Sequence, residues 1–315
     1  MTAHWSEDHG RGSPWLMRLM VRIGLAAPSA VSWSILHGIT AYFLLFAPYQ
    51  RRCSRAYLKR ALERRPTLRD QYRHLWTFAC SLFDRVALLA GDSSTFDVRV
   101  VYADDRVPDL LDHPCILLGA HVGNFELLRW LAGHHPALSV RPLMYREQRQ
   151  AIDDVLRDLN PDAFERVLEI GPVDSLLAAR EAVDTGDSLA LLGDRCPPGV
   201  TGRTARFMGN EVSFPDGPFL LAEALGLPVV LCFGLRRGWR RYDVHLETFD
   251  HSATPTPRSE RRERVDTAIQ TFAQRLEAYC LAAPYNWFNF YDFWQELATV
   301  AANDSHGHHA GRSGE

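Results

Sequence analysis

The chain has 315 residues, 46% of them hydrophobic, with 35 basic and 38 acidic side chains and a formal net charge of −3. That length and apolar content support a large buried core and exclude a disordered polymer, while the near-balanced charge argues against a general nucleic-acid binder, so no nucleic-acid partner is expected. Six scattered cysteines with no C-x-x-C pair exclude a disulfide framework and read as reduced thiols.

The first ten residues, "MTAHWSEDHG", carry acidic groups where a secretory signal needs a basic region, so no cleavable signal is expected. The interval from Ile23 to Gln50 is uncharged and long enough to span a bilayer as a helix, but Pro28, Ser29, Ser32, Ser34, His37 and Thr40 dilute it. A spanning helix and an interfacial one both stay open. A basic run follows: Arg51, Arg52, Arg55, Lys59, Arg60, Arg64, Arg65, Arg69 and Arg73, opposed by Glu63 and Asp70. Anionic lipid attracts such a segment by roughly 1 kcal/mol per charge, and the alternative is a solvated basic helix face. Residues 1–91 are therefore expected to be a helical, basic, membrane-associated region, peripheral or single-pass, on the cytoplasmic face of the inner membrane. Its last helix shows an apolar stripe, Tyr72, Leu75, Trp76, Ala79, Leu82, Phe83, Val86 and Leu89, closed by Gly91.

From residue 92 the period changes. "TFDVRVVYA", "CILLGA", "SVRPLMY", "RVLEIG" and "SLALLGD" read as strands, with helices predicted from Asn124 to about Ala132, Glu147 to Leu159 and Val173 to Thr185. "LPVVLCFGLRR" and "RYDVHLETF" read as an antiparallel hairpin joined to the same sheet, followed by a helix over 259–282 and the aromatic segment "PYNWFNFYDFW". The alternation predicts an α/β domain over 92–296, a central mostly parallel or mixed sheet flanked by helices, with a disordered tail over 297–315.

One stretch concentrates the chemistry: "GAHVGNFELLRW", with His121 at the carboxyl end of a strand and Glu126 in the first turn of the next helix. Strand ends are where α/β proteins place ligands. An imidazole suits proton abstraction near neutral pH, and a neighbouring carboxylate can fix its tautomer, so His121 and Glu126 form a candidate catalytic dyad. The competing reading is an ordinary corner in which Glu126 caps its own helix. Backbone N–H groups at the start of the Gly123 helix are candidate oxyanion donors. Further along, "LLGDR" ends a strand with Asp194 and Arg195; Arg195, Arg203 and Arg206 lie in a Gly- and Pro-rich loop, and guanidinium groups suit phosphate. No G-x-S-x-G elbow, phosphate loop or metal-ligand spacing is present, so neither a protein nucleophile nor a metal or bound cofactor is expected.

The order "HVGNFE", "LLGDR", "FPDG", "LPVVL" resembles the four blocks of the glycerolipid acyltransferase superfamily, and more closely the lipid A (lauroyl or myristoyl) acyltransferase branch. The resemblance runs from about Leu16 to Trp294. It implies transfer of a fatty acyl group from an acyl carrier protein or coenzyme A thioester to a hydroxyl or amine of a lipid-type acceptor, with His121 and Glu126 as the H-x4-E pair. Asn124, Asp194, Arg195, Arg203, Arg206 and the turn Phe214, Pro215, Asp216, Gly217 are then substrate-binding. Asp216 stands where the superfamily has Glu, and the C-terminal block lacks the usual Lys and Arg, which leaves the acceptor open; one divergent branch accompanies aryl-polyene-type pathways. A thioesterase on the same fold and a non-catalytic membrane scaffold remain as alternatives.

Overall fold

The computed structural model describes residues 29–145, 160–170, 174–197, 200–249 and 258–294. The helix expected over 147–159, the first 28 residues and the expected tail lie outside them.

Among the described residues three helices come first: α1 (Ser29–Phe46), α2 (Pro48–Ala61) and α3 (Leu68–Leu89). α1 carries no charge and buries a narrow stripe, Ser32, Leu36 and Thr40, spaced four apart. Val31, Trp33, Ile35, Tyr42, Phe43, Leu45 and Phe46 are exposed, while His37, Ile39 and Leu44 are half-buried. Pro48 ends it, because proline offers no N–H to continue the ladder but suits the first turn of the next helix, and α2 leaves at 93°. Among the described residues no single helix is long and apolar enough to cross a membrane; α1 and α2 pass that test of length and composition only as a bent pair.

Thr67 and Asp70 start α3 with a reciprocal cap. The deeply buried face of α3 is more polar than the predicted stripe: His74, Thr77, Cys80, Ser81 and Asp84 are buried, while Tyr72, Trp76 and Phe83 are half-buried. The helix is covered on two sides. Trp76 meets α1 through Trp33 and His37, and His74 and Asp84 turn toward the sheet and the C-terminal segment.

The α/β part follows as β1 (Asp97–Tyr102), α4 (Val107–Leu111), β2 (Ile116–Gly119), α5 (Leu127–His134), β3 (Val140–Tyr145), α6 (Pro161–Glu165), β4 (Leu168–Ile170), α7 (Asp174–Asp184) and β5 (Ser188–Leu192). Then come β6 (Arg203–Phe207), β7 (Asn210–Phe214), α8 (Gly217–Leu225), β8 (Val229–Gly238), β9 (Arg241–Phe249) and α9 (Arg258–Ala282). Seven strands form one mixed sheet in the order β1-β9-β8-β2-β5-β3-β4. β8, β2, β5, β3 and β4 are mutually parallel; β9 runs antiparallel to β8, as the hairpin reading predicts, and β1 is parallel to β9.

Side chains along β2 alternate between two cores, Ile116 and Leu118 in one and Leu117 in the other, as a strand period of two requires. α3 and α5 contribute to the second core; α2, α8 and α9 contribute to the first, with the aromatic Trp287 and Phe293. β6 and β7 form a separate antiparallel ribbon inside the stretch expected to be a loop. Its two-residue turn, Met208 and Gly209, has positive φ at both positions, the geometry whose twist matches a tight hairpin. α9 anchors the ribbon: Gln270 accepts from the Arg206 N–H and donates back to its carbonyl, and Glu277 accepts from the Met208 N–H.

Candidate active site

The register of the parallel strands builds the site. Gly119 of β2 pairs with Leu192 of β5, and two residues beyond each strand end lie His121 and Asp194. Asp194 Oδ1 is 2.8 Å from His121 Nδ1, and Oδ2 accepts the His121 backbone N–H at 3.1 Å. The Trp287 indole N–H donates to the same Oδ2 at 3.0 Å. Asp194 is fully buried, whereas the His121 side chain is 28% exposed. Burial raises the Asp194 pKa, but the His121 ring, Arg195 and the Trp287 donor outweigh it and hold the carboxyl well below the usual range. Burial, with Arg195 adding to it, lowers the His121 pKa although Asp194 opposes the shift. The pair at neutral pH is thus a carboxylate and a neutral imidazole whose Nδ1–H donates to it, leaving Nε2 as the basic nitrogen.

Glu126 is placed elsewhere. Its Oε1 is 2.5 Å from Arg129 Nε and its Oε2 is 3.6 Å from Arg85 Nε. The ring partner of His121 is Asp194, which the sequence reading assigned to substrate binding. Asn124 is buried and accepts the Glu126 backbone N–H through Oδ1. The proposed oxyanion donors are also committed: the Gly123 N–H donates to the Asn286 carbonyl at 2.7 Å and the Asn124 N–H to the Gly234 carbonyl at 2.9 Å. Gly123, at φ +65°, touches Gly234 so closely that a Cβ would fall 1.8 Å from the Gly234 oxygen. That crossing fixes the loop carrying His121.

The C-terminal segment holds the loop from the other side. The Phe288 N–H donates to the His121 carbonyl at 2.8 Å, and Arg195 donates to the Phe288 carbonyl at 2.7 Å. Trp287 and Asn286 therefore shape the site, yet nothing in "PYNWFNFYDFW" beyond its aromatic density marks them.

His121, Asn124, Glu126, Arg195, Pro215 and Gly217 line one cavity of about 1360 Å³, together with Arg85, Arg129 and Arg166. Its apolar wall includes Phe78, Leu128, Val140, Leu143, Leu191, Leu221 and Phe288. Arg203 and Arg206 are not among its lining residues: Arg203 is paired with Asp216 and Asp266, and Arg206 is exposed on β6. Asp216 spends its carboxylate on Arg203, and Phe214 is buried in the core. Cys115 is buried, which pushes its thiol up to about 11 despite a bond from Ser188, an environment opposite to that of a nucleophile. Among the described residues no group of three or more His, Cys, Asp and Glu side chains is arranged to hold a metal ion.

No family model and no curated protein matches the chain. Among solved structures, the 1-acyl-sn-glycerophosphate (LPA) acyltransferase PlsC from Thermotoga maritima is similar at 15% identity and a TM-score of 0.35, over 84% of this chain and 98% of that one. At this level of similarity the functional reading rests on the site's own geometry.

Proposed function

We propose that the protein is an acyltransferase that moves a fatty acyl group from a thioester, on acyl carrier protein or coenzyme A, to a hydroxyl or amine of a lipid-like acceptor. The observation that carries this reading is an oriented His121–Asp194 pair opening onto a large, mostly apolar cavity. His121 Nε2 removes the acceptor's proton as its oxygen or nitrogen attacks the thioester carbonyl carbon, and Asp194 stabilises the imidazolium formed. The C–S bond then breaks and the departing thiolate takes that proton from the imidazolium. Arg195, on the cavity wall beside His121, supplies positive charge toward the developing oxyanion. The apolar wall receives the acyl chain.

The reading includes an anionic membrane surface. α1 exposes Trp33, Tyr42, Phe43, Leu45 and Phe46, and the basic helix α2 turns away at its end, with Tyr49 and Gln50 at that corner lining the cavity. An apolar face beside Arg and Lys suits interfacial insertion. Binding to vesicles containing phosphatidylglycerol should weaken as salt rises; salt-insensitive retention would indicate a spanning segment.

The test of activity is incubation of purified protein with dodecanoyl-acyl carrier protein, and separately dodecanoyl-coenzyme A, in the presence of a lipid extract of the source cell, followed by mass spectrometry. An acylated lipid formed by the wild type and absent with His121→Ala is the expected result. Release of free acid alone would make the protein a thioesterase, and unchanged product with His121→Ala would remove the proposed base.

A further inference from the structure

Trp287 is completely buried, and aromatic edges hold its ring on three sides: Tyr57 of α2 at 4.9 Å, Phe207 of β6 at 5.3 Å and Phe293 at 5.2 Å. Its backbone is held as well, by an antiparallel bridge to Val122 and by the His74 ring, which donates to its carbonyl at 2.8 Å. A buried indole N–H needs an acceptor. With ring and backbone both fixed, this one reaches Asp194 Oδ2 at 3.0 Å.

That oxygen accepts two N–H groups, the Trp287 indole and the His121 backbone, while Oδ1 faces the His121 ring. Donors on Oδ2 fix the rotation of the carboxylate and so the place of Oδ1. They also set its strength. An N–H dipole aimed at a carboxylate offsets part of its negative charge, so the carboxylate offers less to an imidazolium on its far side. The other groups that face the pair are Arg195 beyond β5, Arg85 of α3 and the Cys280 thiol of α9. Both guanidinium groups disfavour the imidazolium, as the indole does, and burial keeps the thiol uncharged. The indole adds to them a direct hydrogen bond.

We propose that Trp287 is the positioning residue of the His121–Asp194 pair: its indole N–H fixes the carboxylate against the ring and limits how firmly that carboxylate holds the imidazolium. The proposal rests on the pair being the proton carrier of acyl transfer. That reaction needs a ring that takes the acceptor's proton and then returns it to the departing thiolate, and an imidazolium held too firmly does not return it.

The pair titrates without substrate, so ring NMR of the full chain labelled at histidine tests this, with the His121 signal assigned by its loss in His121→Ala. Two variants remove the N–H. One is Trp287→Phe; the other carries β-(3-benzothienyl)alanine at position 287, which keeps the bicyclic shape with sulfur in place of the N–H. In both, the His121 midpoint should rise by about half a pH unit or more. The pH midpoint of kcat/KM for the dodecanoyl thioester should rise with it, and plateau kcat should fall about tenfold or more as Oδ1 loses its fixed place. A side chain that only fills the core would lower stability and leave the midpoint where it is. A midpoint unchanged or lowered in the benzothienyl variant would therefore overturn the proposal, whatever Trp287→Phe does to folding. A wild-type chain that makes no acylated product would count against the acyl-transfer reading instead, and the His121 titration would still decide the role of Trp287.

Discussion

Asp194 contacts His121 twice, its Oδ1 at the ring Nδ1 and its Oδ2 at the backbone N–H of the same residue. The carboxylate therefore sets the tautomer of the imidazole and the position of the peptide that carries it. Asp194→Asn keeps the shape but replaces an acceptor with an amide and removes the charge that stabilises an imidazolium. The expected outcome is a loss of about 10³-fold or more in kcat with little change in KM for the thioester, measured by steady-state kinetics.

Because burial and Arg195 hold the His121 pKa below its ordinary value of 6.5, the base form persists below that pH. In the wild type, kcat/KM should rise with pH through a midpoint under 6.5 and be flat above it. A midpoint above 6.5 would show that another group limits the reaction.

The crossing of Gly123 over Gly234 predicts a contrast between two glycines. Gly123→Ala meets the Gly234 carbonyl and also requires an L-residue at φ +65°, so it should destabilise the fold by about 3 kcal/mol or more and abolish activity. Gly133→Ala, within α5 and with nothing inside 4 Å of its new Cβ, should stabilise by up to about 1 kcal/mol. Denaturant unfolding of the two variants measures both.

Much of the α/β part was legible because its strands are short apolar runs bounded by turn residues, and β1 to β5 and the β8–β9 hairpin lie where that pattern puts them. The β6–β7 ribbon was not, since "RTARFMGNEVSF" mixes charge into both strands and turns on Met-Gly instead of Asn-Gly. His121 was legible as a strand-end residue. Its pairing with Asp194 was not, because it depends on β2 and β5 being parallel neighbours with Gly119 opposite Leu192, a property of register across 73 residues of sequence. Local spacing favoured Glu126, five positions from His121, but the carboxylate meets Arg129 three residues on and Arg85 from another helix.

Asp84 on α3 is completely buried, and burial raises its pKa to about 6 even though the Tyr242 hydroxyl donates to it at 2.6 Å and Arg236 and Arg240 oppose the shift. A folded-state value above the ordinary 3.8 means that the folded chain binds this proton more tightly than the unfolded one. Its contribution is present below pH 4 and is lost as pH rises through 6, a change of about 3 kcal/mol. Asp84→Asn retains an acceptor for Tyr242 without the charge, so its stability relative to wild type should increase from pH 4 to pH 7. A difference that does not vary with pH would show that Asp84 is not the titrating group.

His74 has the opposite sign and reaches the site through Trp287. It is fully buried between α2 and the C-terminal segment, with Ser54 Oγ 2.9 Å from Nδ1 and its Nε2–H donating to the Trp287 carbonyl at 2.8 Å. Burial lowers its pKa to about 4, with the Trp287 bond opposing the shift. A folded-state value below the ordinary 6.5 gives stability that is present above pH 6.5 and is lost as pH falls through 4, about 3 kcal/mol in all. Charging the ring turns Nδ1 into a donor, which the Ser54 hydroxyl can accept, but it leaves a cation without a counter-charge among the hydrogen-bond partners of the ring. The cation is unfavourable in this dry site despite the Trp287 carbonyl, so the packing of α3 against the C-terminal segment should open, and that segment carries Trp287, whose indole is the donor to Asp194. Tryptophan fluorescence should therefore change between pH 5 and pH 4, together with loss of activity, and His74→Phe should remove that acid transition while costing stability at pH 7.5 through the unpaired Trp287 carbonyl. An acid transition that survives in His74→Phe would place the sensitive group elsewhere.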